Sequence, residues 1–445
     1  MYTIVDKRCF DIINKHTVNT ILQLLSDYIE GKTQIFTEQY RQQPEITHYY
    51  NEIIRFWSKL NFIIKKTIRS LRLMSSLRTE VLLFATYRFI FEKAKIGEIL
   101  AETGQNEQLS VYLKRLTDFS WSIALKGKNK VEILSINESI STFFINHLLP
   151  VMNFNFLEEN VKLMNQYNSQ STITLRINTL SSNRSLETLK KLIKSDFLNK
   201  GIKIELDKEI PYLLHVDPQY KREILTSKWY SDNILIFQDR ASVAIVELIN
   251  PTKGDFICDL CAAPGIKSSL IEQLSNNHLK LLCNDFSGFR LRLAKEYFHQ
   301  LRIFETSFLN SDGTNFPIKK DVWFDKLLID APCTGSGTFL SHPELKWRQN
   351  YAFLNQNVLI QKKLIQSGLK LLKPGGTMIY STCSLYPEEG EYQINDIYDQ
   401  VEPLDLPDYF SPSYKIKATN LKGTGRLFPS VHNTQGFFVS RLKKK

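Results

Sequence analysis

Cys333, in the run Asp330-Ala-Pro-Cys, and Cys383, in Thr382-Cys-Ser384, each follow closely on an apolar, strand-like stretch. Cysteine inside a strand is ordinarily a small hydrophobe, the reading that suits Cys258 and Cys283; a thiol just past a strand end is open to chemistry. Three carboxylates share that position: Asp285 ends KLLCND, Asp312 follows TSFLNS, and Asp330 ends KLLID. One such Asp is ordinarily a turn residue or, at Asp285, a helix N-cap. Three in succession suit a polar ligand with hydroxyls, an amine and a positive centre. S-adenosylmethionine (SAM) fits that description; NAD, with its pyrophosphate, fits less well. Between the strand Phe256–Leu260 and a helix runs Cys261, Ala262, Ala263, Pro264, Gly265, Ile266 and Lys267, small residues that let the backbone approach a ligand at a helix N-terminus. This is neither G-x-G-x-x-G nor a Walker loop, which disfavours nucleoside triphosphates. Asp285, about 20 residues on, stands where an acid can hold a ribose diol.

A thiol beside such a cofactor has a definite use. Carbon 5 of cytosine is a poor nucleophile, but a thiolate added to carbon 6 turns it into an enamine carbon that can take a methyl group. Charge on the ring calls for an acid, a role open to Asp330 at N3, and a base must later remove the carbon-5 proton. The cytosine must be unstacked to reach these groups. Either Cys333 or Cys383 qualifies as attacker on these grounds; in DNA cytosine-5 methyltransferases the proline-cysteine thiol attacks, which would choose Cys333. Cys258 and Cys261 also spell C-x-x-C. With no second pair and no histidine nearby, no metal is expected, and a redox pair would compete with the ligand loop.

The elements that must position these residues change along the chain. Ile21, Leu24, Leu25 and Tyr28 recur at helical spacing before Gly31, and Ile53, Phe56, Trp57, Leu60, Ile64, Ile68 and Leu71 continue the period as one long helix. Arg55, Lys59, Lys65, Lys66, Arg69 and Arg72 punctuate that helix, read as a solvated face in preference to a phosphate-binding one. From Thr172, ITLRI, IKIEL, YLLHV and ILIFQD are short strand-like runs with a helical stretch between the first two. From Ala241, strands alternate with helices, implying a mostly parallel sheet whose ligands bind beyond the strands' carboxyl ends. The expected architecture is α/β: a helical domain over 1–165, a small α/β module over 170–240, and a catalytic domain over 241–445.

The 445 residues are 43% hydrophobic and 23% charged, a globular composition with room for several domains. The net charge of +11 and pI near 9.1 favour a polyanionic partner, nucleic acid first. No run approaches the roughly 20 apolar residues of a membrane span. The opening residues, with Asp6, Lys7 and Arg8, are unlike a secretory signal. Six cysteines, only Cys9 outside the C-terminal part, suit a reducing cytoplasm.

LRINTL (175–180), QDRAS (238–242), DLCAAPGIK (259–267), DAPC (330–333), KPGGTMIYSTCSLYPEE (373–389) and GFFVSRLKK (436–444) together resemble the Nop/Sun (Fmu-type) RNA cytosine-5 methyltransferases. The resemblance implies a Rossmann-like domain with a seven-stranded, mostly parallel sheet, SAM as cofactor and RNA as partner, the enzyme acting as a monomer. It makes Cys383 the nucleophile, Cys333 the thiol that assists release, Asp330 the acid at N3 and Lys267 a catalytic neighbour. Cys261–Lys267, Asp285, Arg290, Asp312 and Asp330 would line the SAM site. Ile266 stands where the family usually has a second glycine, leaving the loop's geometry and cofactor affinity open. YRFIFEKAKIGEILAET (87–103) resembles the NusB-like RNA-binding domain of bacterial ribosomal RNA members, favouring ribosomal over transfer RNA. SHPELKW (341–347) is similar to the segment after DAPC in those enzymes, where His342 either touches substrate or serves the loop. A non-catalytic RNA-binding assembly factor is the alternative from another class.

Overall fold

The spacing of Ile21, Leu24, Leu25 and Tyr28 folds as the helix Lys15–Ile29, started by Asn14, whose side chain accepts the Thr17 N–H at 2.9 Å. Gly31, at φ +74°, follows its end. The computed structural model describes residues 13–32, 43–68, 77–104, 107–165, 172–317, 323–416 and 420–445; Asp6, Lys7, Arg8, Cys9, Arg69, Leu71 and Arg72 lie outside them. The single helix expected through Ile53 and Ile64 is instead two, Pro44–Arg55 and Trp57–Thr67, parted at Phe56 (φ −102°, ψ 20°). The break sets the Phe56 ring against Phe91, centroids 4.8 Å apart. Nor is the charged side of this pair uniformly solvated. Arg55 and Lys59 are buried, Arg55 paired with Glu52 at 2.7 Å and Lys59 donating to the Asn137 carbonyl at 3.0 Å, while Lys65 and Lys66 are exposed. Backbone carbonyls at a helix end accept what water would otherwise solvate.

Two compact units result: Met1–Leu149 with Ser341–Arg348, and Pro150–Leu340 with Gln349–Lys445. The first is helical, its core built from Val18, Ile21, Leu25, Ile53, Leu60, Leu83, Phe84 and Leu113. The second differs from the linear segments read from the sequence because the small module and the main sheet share one apolar core, Leu175, Leu189 and Leu213 clustering with Ile257, Leu270 and Leu328.

In the small module β1 (Ile173–Ile177), β2 (Ile204–Leu206), β3 (Leu213–Val216) and β4 (Leu235–Phe237) form an antiparallel sheet in the order β2-β3-β1-β4, with the helix Leu186–Leu198 between β1 and β2. The main sheet has a parallel centre: β5 (Phe256–Asp259), β6 (Lys280–Asp285), β7 (Ser307–Asn310), β8 (Phe324–Asp330) and β9 (Leu372–Thr382), ordered β9-β8-β5-β6-β7. Strand order reverses between β5 and β8, so the crevice beyond their carboxyl ends is the place for a ligand. On the β9 side, β13 (Phe437–Lys444) and β12 (Thr424–Leu427) pair antiparallel and complete seven strands. Two short strands, β10 (Val401–Pro403) and β11 (Ser411–Pro412), bring the sheet to nine. Among the described residues no helix is long and apolar enough to cross a membrane.

Candidate active site

The loop after β5 is fixed by bonds that its sequence alone does not reveal. Asp259, fully buried, accepts the Ser268 hydroxyl at 2.6 Å and the Cys261 N–H at 3.3 Å. Burial, with the charge of Asp330 adding to it, pushes its carboxyl up to about 7. Gly265 caps the helix Ile266–Ser275 at φ +96°, where a Cβ would meet Phe298 at 3.0 Å and Ala294 at 3.1 Å. The left-handed backbone belongs to Gly265, and Ile266 is the first helical residue, so the family's missing second glycine removes no required conformation. From behind, the fully buried Arg176 of β1 donates to the Ser269 hydroxyl at 2.9 Å and the Ile266 carbonyl at 3.4 Å. That contact gives the LRINTL run its place: it steadies the first turn of the loop's helix.

Asp285 is not the N-cap of the following helix. Ser287 takes that role for Gly288–Gln300, accepting the Arg290 N–H at 3.3 Å. The Asp285 carboxylate accepts the Ala263 N–H at 3.1 Å and the Ser287 N–H at 2.9 Å, tying the ends of β5 and β6 together. Arg290 donates to the Ala263 carbonyl and lies 3.8 Å from Asp285. Loop, Asp285 and Arg290 therefore form one cluster. Asp312 is exposed and caps the short turn Gly313–Asn315, accepting the Thr314 N–H at 2.9 Å and its hydroxyl at 2.8 Å.

At the ends of β8 and β9 the reactive groups meet. Asp330 lies opposite Ser381 in the ladder and accepts its hydroxyl at 2.9 Å. Its other oxygen pairs with Lys267 Nζ at 2.7 Å. Burial works against the Lys267 charge, but Asp330, with Cys383 and Asp259 near, holds the ammonium above its ordinary value. The Cys333 and Cys383 sulfurs are 3.1 Å apart. The contact with Cys383 and burial push the Cys333 thiol well up, with the Glu389 charge adding to the effect. Burial, with the charge of Asp259 adding to it, also pushes Cys258 and Cys261 well up, the opposite of what a redox pair needs. His342, more than half exposed and 3.4 Å from Glu344, lies in the segment that folds with the helical unit.

Three contributors escaped the reading of the sequence. Asp259, Ser381 and Glu389 all lie inside or beside recognised motifs, but what they do depends on partners distant in sequence. Asp239, in QDRAS, is a fourth group to note: half-buried, it accepts the Thr434 hydroxyl at 2.7 Å and the Ala241 N–H at 3.0 Å.

A fold whose strands reverse order at a loop of small residues, with carboxylates at successive strand ends and two thiols in contact, defines a methyltransferase-type domain. Residues 246–443 match the family model of the 16S rRNA methyltransferases RsmB/F, in keeping with the Nop/Sun group that the chain's motifs resemble. The 28S rRNA (cytosine-C(5))-methyltransferase of Mus musculus is 28% identical over 336 residues, 72% of this chain and 41% of that one. The probable ribosomal RNA small subunit methyltransferase B of Synechocystis is 32% identical over 210 residues, 46% of this chain and 47% of that one. The chain thus spans less than half the length of these curated relatives. Among solved structures, PH0851 superposes with a TM-score of 0.76 at 24% identity, covering 97% of this chain and 99% of its own.

Proposed function

We propose that this chain is a SAM-dependent RNA methyltransferase that forms 5-methylcytosine, in ribosomal RNA, with Cys383 as the nucleophile. The observation that carries the reading is the meeting of Cys383, Cys333 and the Lys267–Asp330 pair at the ends of β8 and β9. Relatives named as ribosomal RNA methyltransferases, two of them as cytosine-C5 enzymes, support the choice of base and RNA.

The strand-end donors fit SAM: Asp285 for a ribose diol, the Cys261–Gly265 loop for close backbone approach, and the Asp330 carboxylate at the end of β8 for a cationic centre. Bound there, SAM supplies an electrophilic methyl group. The Cys383 thiolate forms a bond to carbon 6, and the displaced π electrons make carbon 5 nucleophilic. Asp330 is the group at N3 as the ring gains charge, with the Lys267 ammonium 2.7 Å from its carboxylate and held above its ordinary value beside it. Once carbon 5 carries the methyl group, its proton passes to a base, the ring double bond reforms, and the bond from Cys383 to carbon 6 breaks. Cys333, kept as a thiol, hands its proton to the departing sulfur across the 3.1 Å contact.

The experiment is adduct trapping with RNA and SAM. Cys333→Ala is expected to accumulate a covalent protein–RNA species resistant to denaturing gels, and Cys383→Ala to form none. The reverse pattern would transfer the nucleophile to Cys333 and sink the assignment. Calorimetric titration with SAM tests the non-catalytic alternative, since a chain that binds no SAM cannot run this reaction.

A further inference from the structure

Six residues beyond Cys383, in the turn Pro387–Glu389, Glu389 is fully buried and faces the loop of the other cysteine. Its carboxyl accepts the Thr334 N–H at 2.9 Å, the Gln361 side-chain N–H at 2.9 Å and the Thr334 hydroxyl. Its main-chain carbonyl accepts the Tyr380 hydroxyl at 2.8 Å and the Thr382 hydroxyl at 3.1 Å. One residue therefore holds both the position just after Cys333 and the position just before Cys383. Three further bonds knit the same two loops: Gly337 N–H to the Cys383 carbonyl at 3.0 Å, Leu385 N–H to the Ser336 hydroxyl at 2.8 Å, and the Ser336 and Ser384 hydroxyls 3.0 Å apart. All of these are short-range directional contacts, and none requires a charge on Glu389.

We propose that Glu389 is a positioning residue that sets the separation of the Cys333 and Cys383 sulfurs through hydrogen bonds rather than through its charge, keeping the second thiol in reach of the nucleophile's sulfur. The inference rests on the division of labour between the thiols given above. An amide of the same shape can keep the arrangement. Its oxygen accepts from Thr334 N–H and Gln361, and its N–H₂ donates to the Thr334 hydroxyl, which turns toward Ser384 Oγ at 3.4 Å. An apolar side chain leaves a buried N–H and hydroxyl without acceptors, and the Thr334 loop must rearrange to satisfy them.

The test uses the full chain and a reporter that needs neither SAM nor RNA. Diamide oxidises two adjacent thiols to a disulfide and is itself reduced to the hydrazine, so the rate of Cys333–Cys383 linkage, followed by peptide mass mapping, reads their juxtaposition. Glu389→Gln is expected to link at the wild-type rate and to keep kcat. Glu389→Ala should link at least ~10-fold more slowly, because alignment of the two sulfurs is lost. It should lose kcat with unchanged SAM affinity, and accumulate covalent RNA adduct. Thr334→Val, which removes the hydroxyl and spares the N–H, should fall between and decides the matter if Glu389→Ala does not fold. Wild-type linkage in Glu389→Ala and Thr334→Val, or slow linkage in Glu389→Gln, overturns the proposal. If linkage follows the predicted order while Cys333→Ala forms no RNA adduct, the positioning role stands and the proposed reaction falls.

Discussion

Asp259 ends β5 beneath the loop, its carboxyl bonded to Ser268 and the Cys261 N–H and pushed up to about 7 by burial and by Asp330. A carboxyl raised on folding binds its proton more tightly in the native state than in the unfolded chain. Its contribution to stability is full below the ordinary carboxylate range and is lost as pH rises through 7. Each pKa unit is worth ~1.4 kcal/mol, so between pH 5.5 and 8 this group should cost the free protein roughly 2 kcal/mol. Asp259→Asn can keep both bonds without the titration, and its urea-unfolding stability is expected to vary less with pH over that window. Equal pH dependence in the two proteins would assign the titration elsewhere. At this scale Cys333, Cys383, Asp285 and Asp330 were legible in the sequence because residue type and place at a strand end suffice to mark them. The Asp259 titration was not, since it arises from burial and from Asp330, 71 positions away by sequence number. Asp312 shares the strand-end signature and also caps its own turn, a local bond that residue type alone does not reveal.

The loop-to-helix junction decides how far Ile266 departs from its relatives in effect as well as in letter. Positive φ falls on Gly265 alone in this loop, and Ile266 begins the helix that Arg176 steadies. Restoring the customary residue, Ile266→Gly, should therefore bring no gain in SAM affinity by calorimetry, and should lower stability by up to ~1 kcal/mol through added backbone freedom. A gain of tenfold or more in affinity would show that the isoleucine side chain, not the backbone, limits binding. The strands and helices that carry this junction were legible because alternation of apolar runs is a local pattern. The break at Phe56 was not, because the apolar period runs through it unchanged and the Leu60 N–H still bonds the Phe56 carbonyl. β10 and β11, three and two residues long, are defined by pairing with β13 and β12 and leave no periodic trace.

For the whole molecule, the least legible feature is that Ser341–Arg348, a few residues beyond Cys333 in the chain, folds as part of the helical unit. Within that unit Lys346 is buried and donates to the carbonyls of Arg55 at 3.0 Å and Glu138 at 3.1 Å, serving the ends of two helices at once. Trp347 donates its indole N–H to the Ile54 carbonyl at 2.9 Å and packs against the helical core. Composition and charge could indicate a polyanionic partner and several domains, but a segment that crosses from one half of the sequence to the other has no local signature. The segment's contribution to the helical unit is measurable. Trp347→Ala removes an aromatic ring from the core and leaves the Ile54 carbonyl without that donor, a change expected to cost about 3 kcal/mol. The loss should concentrate in the helical unit. Hydrogen exchange in the full-length variant should show weakened protection across Pro44–Arg55 and Trp57–Thr67, with β5, β6 and β8 unchanged. Undiminished protection of those two helices would mean that they hold together without the segment, and that Ser341–Arg348 rests on the helical unit without supporting it.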